Sequence, residues 1–422
     1  MDWPERQVTE VVSVRPQVRV NQLGYLPDRP KQATLISDAQ EPVPFTVHDR
    51  RGVTVYTGFS QPWLVRPEPT SGLNVHVLDF SGLTLRGAGF RIESADGRSC
   101  PFEVTNRVYD MLRADALGFF YVMRSGTQIS ETIAPGYGRP AGHAGRSPNR
   151  GDVAVPAWTG VEARRLYPGW RCEGTFDVSG GWYDAGDYGK YVTSGGIAVW
   201  QLLSTLGLLK KADSSLRLRE LTDSIRSECR WQLDWLVRMQ VPAGDPLSGL
   251  AFHRVHGTQW SPMPGWPHED PTERVLHRPS TAATLHLAAV AAKGARLFRT
   301  ADAPYSRMLL HVARTAYQAA RRHPHLIAPD DHARFGGGPY ADDELEDDFY
   351  WAAVELCLTT DEEFYRQEVL LSAQHAADAF DLAGFDFDRV TAPARLDLAL
   401  AGRHLVDYDR VVDSVRQGAD RL

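Results

Sequence analysis

The hydrophobic period of this chain changes once, near residue 104, and that change limits the folds open to it. From Arg15 to Val104 the text runs in short stretches (QVRVNQLGY, KQATLIS, PFTVHD, GVTVYTG, NVHVLDF, GFRIES, CPFEV) rich in Val, Phe and Thr. Pro, Gly, Asp or Ser turns divide them. About seven such runs predict a small β-sandwich of the immunoglobulin kind, because alternate side chains along each strand turn inward between two sheets. No ligating or catalytic cluster lies there, so this part reads as a structural module. After Phe102 the stretch RVYDMLRADALGFFYVMR has the period of an amphipathic helix. Ser125 to Tyr183 is irregular, and a loop of that length is normally functional or disordered. From Tyr191 onward nearly all is helical, and several segments, STAATLHLAAVAAKGARLF among them, are apolar on more than one face. Such helices are buried on both sides. Hairpins of helices set in a ring or solenoid are expected, with no constant-period repeat and no parallel α/β sheet. The expected organisation is a tail over 1–15, a sandwich over 16–104 and a helical domain over 105–422.

Composition excludes several functions. A net charge of -7 gives no electrostatic footprint for nucleic acid or an anionic membrane. No stretch approaches the roughly 18 uninterrupted apolar residues of a membrane span. The start, MDWPERQVTE, lacks the basic and apolar regions of a signal peptide, so the chain as written reads as cytoplasmic, or as secreted if a leader has been removed. Cys100, Cys172, Cys229 and Cys357 are scattered without a CxxC motif, which favours free thiols.

The stretch GGWYDAGDYGKY, Gly180 to Tyr191, carries the most chemistry. Its glycines lack the GxGxxG spacing of a phosphate loop. Asp184 and Asp187, three apart and just ahead of a helix, can serve as a cap and a first-turn anion. That explains one carboxylate better than two, and it leaves Trp182, Tyr183, Tyr188 and Tyr191 unexplained. Two anions held close raise each other's pKa, which makes one of them a stronger base near neutral pH.

This stretch, together with VRVNQLGYLP, ALGFFY, RPAGH, MQVP, FHRVHG, RPSTAATLHLAAVAA, GGGPYADDELEDDFYWAAVEL and FDFDRV, in that family's order, resembles glycoside hydrolase family 9. It resembles the branch with an N-terminal immunoglobulin-like module. The resemblance implies an (α/α)6 barrel and inverting hydrolysis of β-1,4-glucosidic bonds in cellulose or its oligosaccharides. Asp187 then matches the general base and Asp184 the partner that holds the attacking water, with Trp182 and Tyr183 shaping the floor. An inverting site needs its acid across the cleft, about 6.5–9.5 Å from the base. In the family that acid is a Glu in an Asn-Glu motif, and no such motif follows Asp187 here. The expectation is a barrel incomplete at its C-terminal side, with uncovered helices that favour self-association. The alternative function is a catalytically incomplete remnant that binds glucan or assembles with a partner.

The run DDELEDD, Asp342 to Asp348, sets six carboxylates in seven residues. Part of it suits a helix start, but a hard divalent cation would relieve the repulsion. The resemblance also implies calcium here, with Asp342, Asp343, Glu344, Asp347 and Asp348 as candidate ligands. Zinc is not expected, since only Cys172 and His143 stand where some relatives carry paired Cys and His. His253 and Trp260 in FHRVHGTQW are candidate substrate contacts, with Trp266 behind them, because a tryptophan in a Pro/Gly-rich loop tends to the surface.

Overall fold

The computed structural model describes residues 16–210, 216–381, 384–405 and 407–421. The chain divides into two compact units, Met1–Ala116 and Leu117–Leu422.

In the first unit alternation builds two antiparallel sheets. One has the order β1 (Val18–Arg19), β2 (Gln32–Ile36), β6 (Val75–Asp79), β5 (Gln61–Pro62). The other runs β4 (Thr54–Phe59), β3 (Pro44–His48), β7 (Gly87–Ser94), β8 (Gly97–Arg98), with β9 (Phe102–Val104) also on β7. Ala33 and Leu35 of β2, Phe45 and Val47 of β3, Leu78 of β6 and Phe90 and Ile92 of β7 are all buried in one apolar cluster. The two sheets therefore pack face to face. Tyr25 meets Phe80 edge to face at 4.9 Å. The run QVRVNQLGY yields only the two residues of β1, because Asn21 turns the chain: its side chain accepts from Leu23 N, and Gly24 takes a φ of 99°.

The second unit is helical. The division between the units falls inside α1 (Asp110–Val122). Beyond the short α2 (Val161–Leu166), the described residues form four helix pairs: α3 (Val192–Leu209) with α4 (Leu216–Arg238), α5 (Thr281–Phe298) with α6 (Ala303–Arg322), α7 (Glu346–Thr360) with α8 (Glu363–Leu371), and α9 (Thr391–Ala401) with α10 (Tyr408–Arg421). The first helix of each pair also packs on the first helix of the next, so α3, α5, α7 and α9 form an inner wall. This is why α5 is buried from Thr281 to Ala295 while α6 keeps one polar face. Among the described helices only α3 is long and apolar enough to cross a membrane. Here it is a core helix, with Val199, Trp200, Leu203 and Leu206 buried.

The irregular stretch before α3 is ordered by buried charge. Asp152, fully buried, meets Lys190 Nζ at 2.8 Å and Arg274 Nε at 2.9 Å. These two cations hold its carboxyl below the usual range despite burial. Lys190 also donates to the carbonyls of Val178 and Gly180, which anchors the strand on which the Asp184–Asp187 loop ends.

Candidate active site

The inner helices begin on one side of the wall, and the segments leading into them carry the site. Asp184 and Asp187 precede α3, Ser280 caps α5, Tyr340 precedes α7 and Phe387 precedes α9. Loops on a rigid scaffold are where functional side chains collect, and helix N-termini favour anions.

Each aspartate has its own phenol donor. Tyr191 Oη donates to Asp187 Oδ2 at 2.8 Å, and Tyr340 Oη donates to Asp184 Oδ2 at 2.5 Å. The two rings lie 4.5 Å apart. Burial lifts the Asp184 carboxyl; the Tyr340 hydroxyl offsets part of the lift, and the charge of Asp187 adds to it. Burial, and then the Asp187 charge, push the Tyr191 phenol far up, so it stays a donor. Tyr188 and Tyr340 hold left-handed backbones, φ 56° and 45°, which non-glycine residues adopt only where surroundings enforce it.

A cavity of about 110 Å³ borders Asp184, lined also by Phe120, Trp182, Tyr183, Tyr191 and Ser194. Asp187 is more enclosed, 8% exposed, and does not line that cavity. Another cavity, about 310 Å³, is bounded by Asp330, Gly338, Pro339, Tyr340 and Phe387. The Tyr340 ring thus walls this space while its hydroxyl reaches Asp184.

The other candidates separate. Trp182 is buried, donating Nε1–H to Glu228 at 2.7 Å, with Glu228 paired in turn to Arg124 at 2.6 Å. Tyr183 is buried with its hydroxyl 2.8 Å from His143 Nδ1. Both form walls of the small cavity and present no open face for stacking. His253, expected as a substrate contact, is engaged by protein groups. It is buried, with Nε2 donating to the Pro339 carbonyl and Nδ1 taking the Ser280 hydroxyl, both at 2.9 Å. Its ring is spent holding the loop that carries Tyr340, and burial drives its pKa down to about 3. Trp260 is 51% exposed with Nε1 fixed on the Ala333 carbonyl at 3.0 Å, and Trp266 is 46% exposed. Ser261 Oγ beside Trp260 donates to the Asp187 carbonyl, so this loop lies against the aspartate. The tyrosine donors escaped the sequence reading of the site. Tyr340 lies 156 residues from Asp184, and no local pattern joins them.

The acidic run also divides. Asp343, Glu344 and Asp347 line a cavity of about 590 Å³. Asp347 Oδ2 accepts from Val390 N at 2.8 Å. Asp342 and Asp348 are buried. Burial, then the charge of Asp348, push the Asp342 carboxyl up to about 8. His286 Nε2 lies 3.1 Å from Asp348 Oδ1. Among the described residues no three His, Cys, Asp or Glu side chains are grouped as metal ligands, so the five expected ligands do not converge. Asp343 and Glu344 are exposed ahead of α7, whereas Asp342, Asp347 and Asp348 are buried.

A sandwich, then helical hairpins with paired carboxylates ahead of their inner helices, is the architecture of a two-domain glycoside hydrolase. Residues 109–422 match the model of Glycosyl hydrolase family 9, and residues 13–99 match that of the Cellulase N-terminal ig-like domain. The chain belongs to glycosyl hydrolase family 9. It is 46% identical over 415 residues to Endoglucanase C of Cellulomonas fimi, a match covering 96% of this chain and 37% of that protein. It is 37% identical over 389 residues to Cellulose 1,4-beta-cellobiosidase of Acetivibrio thermocellus, covering 87% and 43%. The chain thus spans less than half the length of these two relatives. Among solved structures, a glycoside hydrolase family 9 protein of Bacteroides ovatus superposes with a TM-score of 0.76 at 26% identity, covering 95% of this chain and 72% of that one. A metagenome-derived family 9 endoglucanase gives 0.77 at 28%, covering 96% and 72%. With these matches the helical domain is of the (α/α)6-barrel type.

Proposed function

We propose that this chain carries the base side of an inverting β-1,4-glucan hydrolase. Asp187 takes a proton from water as that water attacks the anomeric carbon from the face opposite the leaving group. Asp184 holds the same water through the oxygen that Tyr340 leaves free. The carrying observation is that two neighbouring carboxylates are each fixed by one phenol. Each phenol occupies one carboxylate oxygen, and the charge of Asp187 lifts its partner. The names of the relatives, an endoglucanase and a cellobiosidase, support glucan as the substrate. The test is cellopentaose followed by NMR: the α-anomer should be released first. Early β-anomer would overturn inversion.

Calcium is proposed at Asp342 and Asp348. Two buried, neighbouring carboxyl groups suit a hard cation, which takes oxygen ligands. Bound there, the ion would supply charge balance and a fixed start to α7, while Asp343 and Glu344 stay outside. Calcorimetric titration of the metal-stripped chain with calcium should give saturable binding that Asp348→Asn abolishes. Self-association is proposed through apolar side chains left exposed in the helical unit, Phe119 and Leu208.

A further inference from the structure

Three glycines, Gly336 to Gly338, lead up to Tyr340, and each is confined. Gly336 has a φ of 79°, and a Cβ on it would run into the backbone of Gln259 and Gly257. Gly338 donates its N–H to Tyr191 Oη at 3.0 Å, while its carbonyl accepts from the buried Arg254. Arg254 is itself held by Asp331 at 2.5 Å. Between them, a Cβ on Gly337 would collide with the Tyr191 hydroxyl and come within 3.0 Å of the His256 ring. Gly337 does not lie in the left-handed region, so alanine there meets no backbone strain. The obstacle is steric, and the atom obstructed is the phenol oxygen that donates to Asp187.

We propose that Gly337 is a positioning residue: its bare Cα is the seat for the Tyr191 hydroxyl, and through that hydroxyl it sets the orientation of the Asp187 carboxylate. The proposal deepens the hydrolase reading and rests on Asp187 as the base. The hydroxyl has one proton, and it goes to Asp187. Its lone pairs face the shelf, where Gly338 N–H takes one. A methyl group at 337 shifts the oxygen off this line and carries the carboxylate with it.

The test is a double-mutant cycle on the full chain with Gly337→Ala, Tyr191→Phe and both. In the Tyr191 background the alanine should lower Tm by roughly 3–8 °C, the cost of overpacking a closed site. In the Tyr191→Phe background it should cost less than half as much, because the atom it strikes is gone. Equal cost in both backgrounds overturns the proposal. If Gly337→Ala alone does not fold, recovery of folded protein in the double variant supports it and failure to recover overturns it. On cellopentaose the alanine should lower kcat roughly 10- to 100-fold with KM unchanged, and adding Tyr191→Phe should cost little more. A change confined to KM overturns the proposal. No turnover by the unmodified chain would count against the hydrolase reading instead, and the thermal cycle would still decide the role of Gly337.

Discussion

Two pairs of carboxyl groups stand where inner helices begin: Asp184 with Asp187 ahead of α3, and Asp342 with Asp348 ahead of and within the first turn of α7. In the first pair each member receives a tyrosine hydroxyl. In the second, the described partners are His286 Nε2, 3.1 Å from Asp348 Oδ1, and the other carboxyl, and Asp342 is pushed up to about 8. Two anions in a poorly solvated place repel in either case. A phenol stabilises an anion without neutralising it, and each tyrosine occupies a single carboxylate oxygen of the first pair. With no phenol described on either member and an imidazole beside only one of them, the second pair is suited to taking up a proton or a cation. The supply of donors separates a pair suited to activating water from a pair suited to holding an ion.

The largest effect expected from this contrast is in turnover. Asp187→Ala should cut kcat on cellopentaose by roughly 10²–10⁴-fold with the fold retained, the usual contribution of a positioned base. Asp348→Asn should leave kcat within a few-fold once the protein is folded. If both variants lose the same activity, the division of labour fails. Next in size is Tyr340→Phe, which removes only the donor from Asp184. A drop in kcat of roughly 10- to 100-fold is expected, the order of one preorganised hydrogen bond at a reacting centre. Unchanged kcat would mean that the phenol merely walls the neighbouring cavity.

Much of this arrangement could be read from letters alone, and the part that could not has a common cause. The period change near residue 104 gives the sandwich and the helices, because side-chain direction follows local geometry. DAGD stands out because its members are three residues apart. The donors do not stand out in the same way: Tyr191 is only four residues from Asp187, but Tyr340 is brought in by α7 from another hairpin. Burial is equally invisible in the letters. Trp182 and Trp260 both lie in Gly- or Pro-rich loops, yet one indole is enclosed by Glu228 and Phe120 and the other is half exposed. His253 resembles a loop ligand until Pro339 and Ser280 are found on its two nitrogens. The irregular stretch before α3 shows no period because its order comes from Asp152, Lys190 and Arg274, which are remote in sequence.

Acid should act on both neighbourhoods through buried imidazoles. Burial lowers His253, beside the first pair's loop, to about 3 and His286, beside Asp348, to about 4. Unfolded histidine titrates near 6.5, so below that pH the unfolded state binds more protons. Their contribution is complete above pH 6.5 and is lost as pH falls toward 4 and 3. Tm by calorimetry should fall by roughly 5 °C or more between pH 6.5 and 4.5. His253→Asn should flatten that slope, whereas an unchanged slope would show that carboxylates alone set the acid limit.

The smallest effect tests which pair the exposed aromatic belongs to. Trp260 keeps its indole in a fixed direction through Ala333, and its neighbour Ser261 is bonded to the Asp187 carbonyl. A ring held in place and half exposed offers a flat face to a sugar at little entropic cost, worth about 1 kcal/mol beyond the area it buries. Trp260→Ala should therefore raise KM for cellopentaose roughly three- to tenfold with kcat nearly constant. The calcium response should not change, since among the described residues no hydrogen bond or ion pair links Trp260 or Ser261 to Asp342 or Asp348. If KM stays fixed, the indole is a lid on the Ala333 segment; if calcium affinity moves with it, the two carboxyl pairs are coupled and the contrast between them must be redrawn.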